Sequence, residues 1–156
     1  MGVYDRLQTM ENDTNMMKFY SIDSESSSMV YNALKRLIEP KFCYNNVFFV
    51  VSNFHSNFMD GKWKVAYGYV SSVQNVFCRH CFVFDTTSEL IIDPTASATG
   101  NPIDEKKYYI MRVFDTLDSY LEAIDDEHNL PALENYLRQD DIKACRLAHE
   151  NGLLFI

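Results

Sequence analysis

The segment from Cys43 to Phe54 constrains the fold most. Val47, Phe48, Phe49, Val50, Val51 and Phe54 place apolar side chains all round a helix, and a helix that is apolar on every side belongs in the middle of a core. A strand of branched residues competes for Val47–Val51, but the helical length from Cys43 onward and the Asp60-Gly61 turn favour helix. The period then changes. Lys62 to Ser71 alternates, with Trp63, Val65, Tyr67 and Tyr69 on one face and Gly68 on the other, where something can approach closely. Val76–Asp85 and Leu90–Asp93 read as two more strands, joined through 86–89 as a hairpin.

The flanks extend this pattern. Residues 1–28 form a polar N-terminal segment, expected to be partly flexible and orderable only at Met16–Tyr20, as an edge strand. Met29, Val30, Ala33, Leu34, Leu37 and Ile38 fall on one helical stripe behind a serine cap. After the loop 96–104 come a strand over Tyr108–Phe114 and a helix capped by Asp115 and running to about Ile124. Pro131 and Asp140 open two further helices, the last ending at Gly152. The expected class is α+β, with helices packed on an antiparallel sheet of about four strands. At 156 residues the chain supports one core, and 29–156 reads as one domain.

Charge narrows the function. The net charge is −8, with acid concentrated over 104–143 and no cluster of Lys and Arg. This argues against nucleic acid and against an anionic membrane as partners, and leaves a basic protein surface open. No apolar run nears the roughly 18 residues of a membrane span, no secretory signal opens the chain, and Arg6 stands where a myristoylation signal has Ser or Thr. The chain reads as soluble and cytoplasmic, with Cys43, Cys78, Cys81 and Cys145 as free thiols.

A cysteine attacks as thiolate, and a helix N-terminus and a nearby imidazole both favour that form. Cys43, three residues after Pro40, stands in the first turn of the central helix, whose unpaired N–H groups also suit an oxyanion hole. In the hairpin, paired residues sum to 175, so Asp93 faces Phe82. His80 shares the Phe82 face, and the Asp93 carboxylate therefore points towards the imidazole. An imidazole oriented by a carboxylate is what a Cys-His pair requires. A lone cysteine in an apolar helix is ordinarily core packing; the ordered set is what points to chemistry. Strand alternation puts Cys78 and His80 on one face and Cys81 on the other, so these three do not converge on a zinc ion.

These residues carry a resemblance. Cys43-Tyr44-Asn45-Asn46, Tyr67-Gly68-Tyr69-Val70, His80-Cys81-Phe82 and Asp93-Pro94-Thr95 resemble, in order and spacing, the transglutaminase-like domain of the papain-like cysteine protease superfamily. Lys41 stands where that family often has Gly, and Phe82 where it favours Trp. The resemblance implies Cys43 as nucleophile, His80 as general acid and base, and Asp93 as the residue orienting His80. It implies acyl transfer at a carboxamide, with water or an amine as acceptor and no metal or organic cofactor; small size and acidic charge favour hydrolysis of a protein or peptide substrate. Tyr67, Tyr69 and Phe82 are candidates for lining the substrate groove, and Asn46, with Asn32 and Asn45, for the remaining oxyanion donor. The alternative is an acidic protein-binding module with an idle triad, masking a basic partner.

Overall fold

Helix α2, Cys43–Asn53, is the buried helix that the apolar segment requires, with Val47 and Val50 wholly enclosed. Each such side chain contributes about 1.5–3 kcal/mol by leaving water. The computed structural model describes residues 17–100, 103–127 and 131–156. The remaining elements are α1 (Ser24–Ala33), α3 (His55–Met59), α4 (Pro94–Ala98), α5 (Leu117–Asp126) and α6 (Glu134–Glu150), with strands β1 (Phe19–Ser21), β2 (Trp63–Ser71), β3 (Val76–Asp85), β4 (Leu90–Ile92), β5 (Lys107–Val113) and β6 (Leu154–Phe155). The architecture is mixed α+β. No helix among the described residues is long and apolar enough to cross a membrane.

The sheet has six strands in the order β1-β5-β2-β3-β4, with β6 also paired to β3. Beyond the four expected antiparallel strands the sheet holds the expected edge strand and one parallel strand that was not expected. Phe19–Ser21 pairs with Tyr109–Lys107 as an antiparallel edge strand, and Leu154–Phe155 pairs with Val76–Phe77 in parallel. The hairpin register follows the predicted arithmetic, with Asp85 opposite Leu90 and Val83 opposite Ile92. Close approach at Gly68 comes from β5, which bulges there; a Cβ on Gly68 would stand 1.8 Å from the Tyr109 carbonyl oxygen.

Three boundaries differ from expectation. Helix α1 starts at Ser24 and not at Met29, because Asp23 is the N-cap and its carboxylate accepts from the Ser26 N–H at 2.9 Å. The serine run is thus the first turns of a helix; of the polar segment expected over 1–28, residues 1–16 lie outside those described. Thr116, not Asp115, caps α5, through a reciprocal pair with Ser119. One helix, α6, runs through Asp140, since Asp141 faces inward as a buried partner and opens no new element.

Two faces of the sheet are covered. Trp63, Val65, Tyr67, Cys81 and Val83 form one core with α2 and α5. Ala66, Val70, Phe82, Ile91, Ala96 and Tyr108 form another. Along β3 the side of Cys81 and the side of His80 are therefore distinct environments.

Candidate active site

Cys43 is the first residue of α2, which places its backbone N–H among the helix's N-terminal amides. Lys41, two residues earlier, has φ of 70°, the left-handed conformation that glycine adopts more readily. Helix α2 packs on β3. The thiol acts electrostatically on both His80 and Cys81, which point to opposite faces of that strand. The outer edge of β3 pairs with β4 over Val83–Asp85 and with β6 at Val76 and Phe77, so an interval around His80–Phe82 has no strand neighbour there among the described residues.

The imidazole and the carboxylate meet as the register predicts: His80 Nε2 lies 2.7 Å from Asp93 Oδ2. A carboxylate only accepts, so Nε2 carries a proton, and Nδ1 is left for the thiol. Asp93 is 1 % exposed, and it is held from several sides. Its Oδ2 also accepts from the Tyr108 hydroxyl at 2.7 Å, and its Oδ1 accepts from the Ala96 N–H at 3.2 Å, capping α4. The Asp93 N–H donates to buried Ser27 Oγ at 2.9 Å, tying α1 to the end of β4. Pro94 at the first helical position completes the turn from strand to helix.

Electrostatics follow from these contacts. Burial pulls the His80 pKa down, but the charge and hydrogen bond of Asp93, followed by the Cys43 thiol, outweigh it and raise the pKa to about 10. Burial pushes Asp93 up, and His80, Tyr108 and the Ala96 N–H reverse that to hold it below the usual carboxylate range. Cys81 is pushed well above the ordinary thiol value, first by burial, then by Cys43 and Asp93. Cys81 is a poor nucleophile by comparison.

The structure thus brings Cys43, His80 and Asp93 together, turns Tyr67 and Tyr69 to the opposite face, and keeps Asn46 close by but fully engaged. Gly68 is paired with His80, so Tyr67 and Tyr69 on either side of it point to the opposite face. Both tyrosines are fully buried: Tyr67 donates to Asp141 at 3.0 Å, and Tyr69 lies 3.6 Å from Cys145 Sγ. Neither lines a groove beside His80. Asn46 is also buried; its Nδ2 donates to the Glu39 carbonyl and to Thr95 Oγ1, and its Oδ1 accepts from the Glu39 N–H. With both Nδ2 hydrogens engaged it clamps the approach to α2 and is not free to bind an oxyanion. Phe82 is on the His80 face as expected, but it is enclosed, with its ring 6.0 Å from the imidazole and 4.9 Å from Tyr108. It backs the imidazole and does not line an open groove.

Asn32 and Asn45 are exposed, and Asn45 lines a cleft of about 310 Å³ with Arg36, Leu37, Glu39, Phe42 and Phe49. Sequence reasoning missed Tyr108 and Ser27. Tyr108 reaches Asp93 from β5, which β2 and β3 separate from β4 in the sheet order, and no local spacing signals such a partner. Among the described residues no three His, Cys, Asp or Glu side chains are placed to hold a metal ion. No protein-family model, curated protein or solved structure matches this chain.

Proposed function

We propose that this protein is a cysteine-dependent acyl-transfer enzyme that cleaves a carboxamide of a protein or peptide substrate, on a papain-like, transglutaminase-like plan. What supports the reading is the 2.7 Å bond between His80 and a buried Asp93, with Cys43 at a helix start beside the same imidazole. With its pKa near 10, His80 rests as imidazolium at neutral pH, so its first act is to give a proton and not to take one. Cys43 attacks the carbonyl carbon as thiolate; the C–S bond forms, the C–N bond breaks, and the leaving amine takes the proton from His80. Water then attacks the thioester while the now neutral His80 accepts its proton, and the C–S bond breaks to release the acid. The Cys43 N–H faces the developing oxyanion.

The test has two parts. Iodoacetamide at pH 7 should alkylate Cys43 faster than Cys145. An activated ester acyl donor should leave an acyl group on Cys43 that hydroxylamine removes, and Cys43→Ala should abolish both signals. Equal labelling of the two thiols, with no acyl adduct, overturns the proposal. One observation favours a second reading, an acidic binding module with an idle triad: Cys43 is 8 % exposed. Under that reading Cys43→Ala retains the full biological effect.

A further inference from the structure

The geometry around Asp93 assigns a further role. We propose that Tyr108 is a positioning residue of this site, whose hydroxyl keeps Asp93 a carboxylate through the half of the reaction in which His80 is uncharged. This rests on the reading of Cys43, His80 and Asp93 as a catalytic set.

The argument starts from where the charge sits. A carboxylate buried as deeply as Asp93 is costly unless it is paired and hydrogen-bonded. While His80 is imidazolium, the ion pair meets that cost. Once His80 has passed its proton to a leaving group, the counter-charge is gone and only hydrogen bonds remain. The Ala96 N–H serves Oδ1 at 3.2 Å, and Tyr108 serves Oδ2, the oxygen that His80 also uses. Tyr108 is itself fully enclosed, and burial followed by the Asp93 charge pushes its pKa well above the ordinary range, so its hydroxyl stays protonated and donates. Two donors on one oxygen divide its charge. Tyr108 therefore loosens the grip of Asp93 on the imidazolium and makes the uncharged state of His80 attainable.

The titratable groups that bear on the imidazole are Asp93 from the β4–α4 junction, Cys43 from α2 and Tyr108, whose ring is 6.4 Å away on β5. Cys81, on the opposite face of β3, acts on the site through Cys43 and Asp93. The sign follows. Without the Tyr108 hydroxyl the state with neutral His80 beside a bare carboxylate is costlier, so His80 keeps its proton to higher pH.

The experiment follows the ring nitrogens of His80 by NMR against pH in full-length, 15N-histidine-labelled protein, with His80→Gln to assign the signal. Tyr108→Phe should raise the His80 midpoint by about one pH unit. Replacing Tyr108 with 3-fluorotyrosine, a stronger donor of the same shape, should lower it. Tyr120→Phe removes another buried hydroxyl, one with no hydrogen-bond partner, and should leave the midpoint where it is. Opposite shifts for the two changes at position 108 are not expected of a merely structural tyrosine. An unmoved midpoint in Tyr108→Phe, or a shift of equal size in Tyr120→Phe, overturns the proposal. Should Tyr108→Phe not fold, the fluorotyrosine protein decides alone, an unmoved or raised midpoint being fatal. Iodoacetamide labelling of Cys43 separates the two claims: if the midpoint moves as stated while Cys43 is inert, Tyr108 holds Asp93 but the enzymatic reading fails.

Discussion

Arg79 and His80 are neighbours on β3, and each reaches a buried carboxylate on its own side of the sheet. Arg79 Nε is 2.7 Å from Asp141 on α6, and Tyr67 donates to the same carboxylate. His80 Nε2 is 2.7 Å from Asp93, and Tyr108 donates to it. The two clusters have the same parts: a carboxylate, a phenol and a nitrogen cation from adjacent residues of one strand. They differ in whether the cation can let go of its proton. A guanidinium keeps its charge, and Asp141 raises the Arg79 pKa further, so that cluster is a fixed brace between β3 and α6. An imidazole can release its proton, and a thiol stands beside it. Similar geometry braces one face and, under the proposed function, stores a proton on the other.

Removing each carboxylate should separate the two roles. Asp141→Ala leaves a partly buried guanidinium and the Tyr67 hydroxyl without their acceptor. The cost should be about 3 kcal/mol in urea unfolding, at the low end for a buried pair because the Arg79 side chain is still 32 % exposed. In the folded fraction, alkylation of Cys43 should be unchanged. Asp93→Asn should lower stability as well, because it removes the partner that raises the His80 pKa, but unlike Asp141→Ala it should also change the thiol. The carboxamide no longer dictates which nitrogen of His80 bears the proton, and Cys43 alkylation at pH 7 should slow by roughly tenfold or more. If Asp141→Ala slows alkylation as much as Asp93→Asn, the two clusters are not distinct in function.

Stability against pH sharpens the contrast. The folded pKa of His80, about 10, lies above its ordinary value of 6.5, so the folded state binds the proton more tightly. The stabilisation is complete below about pH 6.5 and is lost as pH rises towards 10, at a slope of up to about 1.4 kcal/mol per pH unit. Asp93 is depressed below its ordinary value of 3.8, so its contribution is present above that pH and fades as pH falls through the folded value. His80→Gln should flatten the alkaline slope in a series of urea melts. Asp141→Ala should lower the whole curve without flattening it, since Arg79 does not titrate in that window. Between about pH 6.5 and 8, below the range where the buried Cys81 thiol and tyrosines add their own alkaline loss, a slope that survives His80→Gln would place the proton elsewhere.

Much of the His80 cluster is legible in the sequence because it is built from local pairing. Two strands joined by a four-residue turn have a register that parity settles, and parity alone brings Asp93 to the His80 face. The same parity excludes Tyr67 and Tyr69 from that face, because Gly68 pairs with His80; that pairing depends on the register between β2 and β3, which the β3–β4 turn does not set. The Asp141 brace was not legible. Asp140-Asp141 reads as a helix cap when only neighbours in sequence are considered, and its partners lie 62 and 74 residues away. Tyr108, Ser27 and the parallel strand β6 escaped for the same reason: each depends on which distant element lies alongside, and side-chain period does not carry that information.

The smallest expected effect lies on the reactive side alone. Of the non-glycine residues with positive φ in the described chain, Lys41 stands immediately before the N-cap of α2, while Gln74 and Glu89 occupy turns. The left-handed backbone costs a residue with a Cβ roughly 1–2 kcal/mol, part of which glycine would return as entropy of the unfolded chain. Lys41→Gly should therefore stabilise the protein by about 0.5 kcal/mol in urea melts. Because glycine keeps the same backbone path, Cys43 should be alkylated at a rate within about twofold of the parent. A Lys41→Gly protein that gains stability but loses Cys43 reactivity would mean that the lysine side chain, and not the turn it occupies, serves the thiol. In that case the contrast between brace and proton store would have to include a second cation on the His80 side.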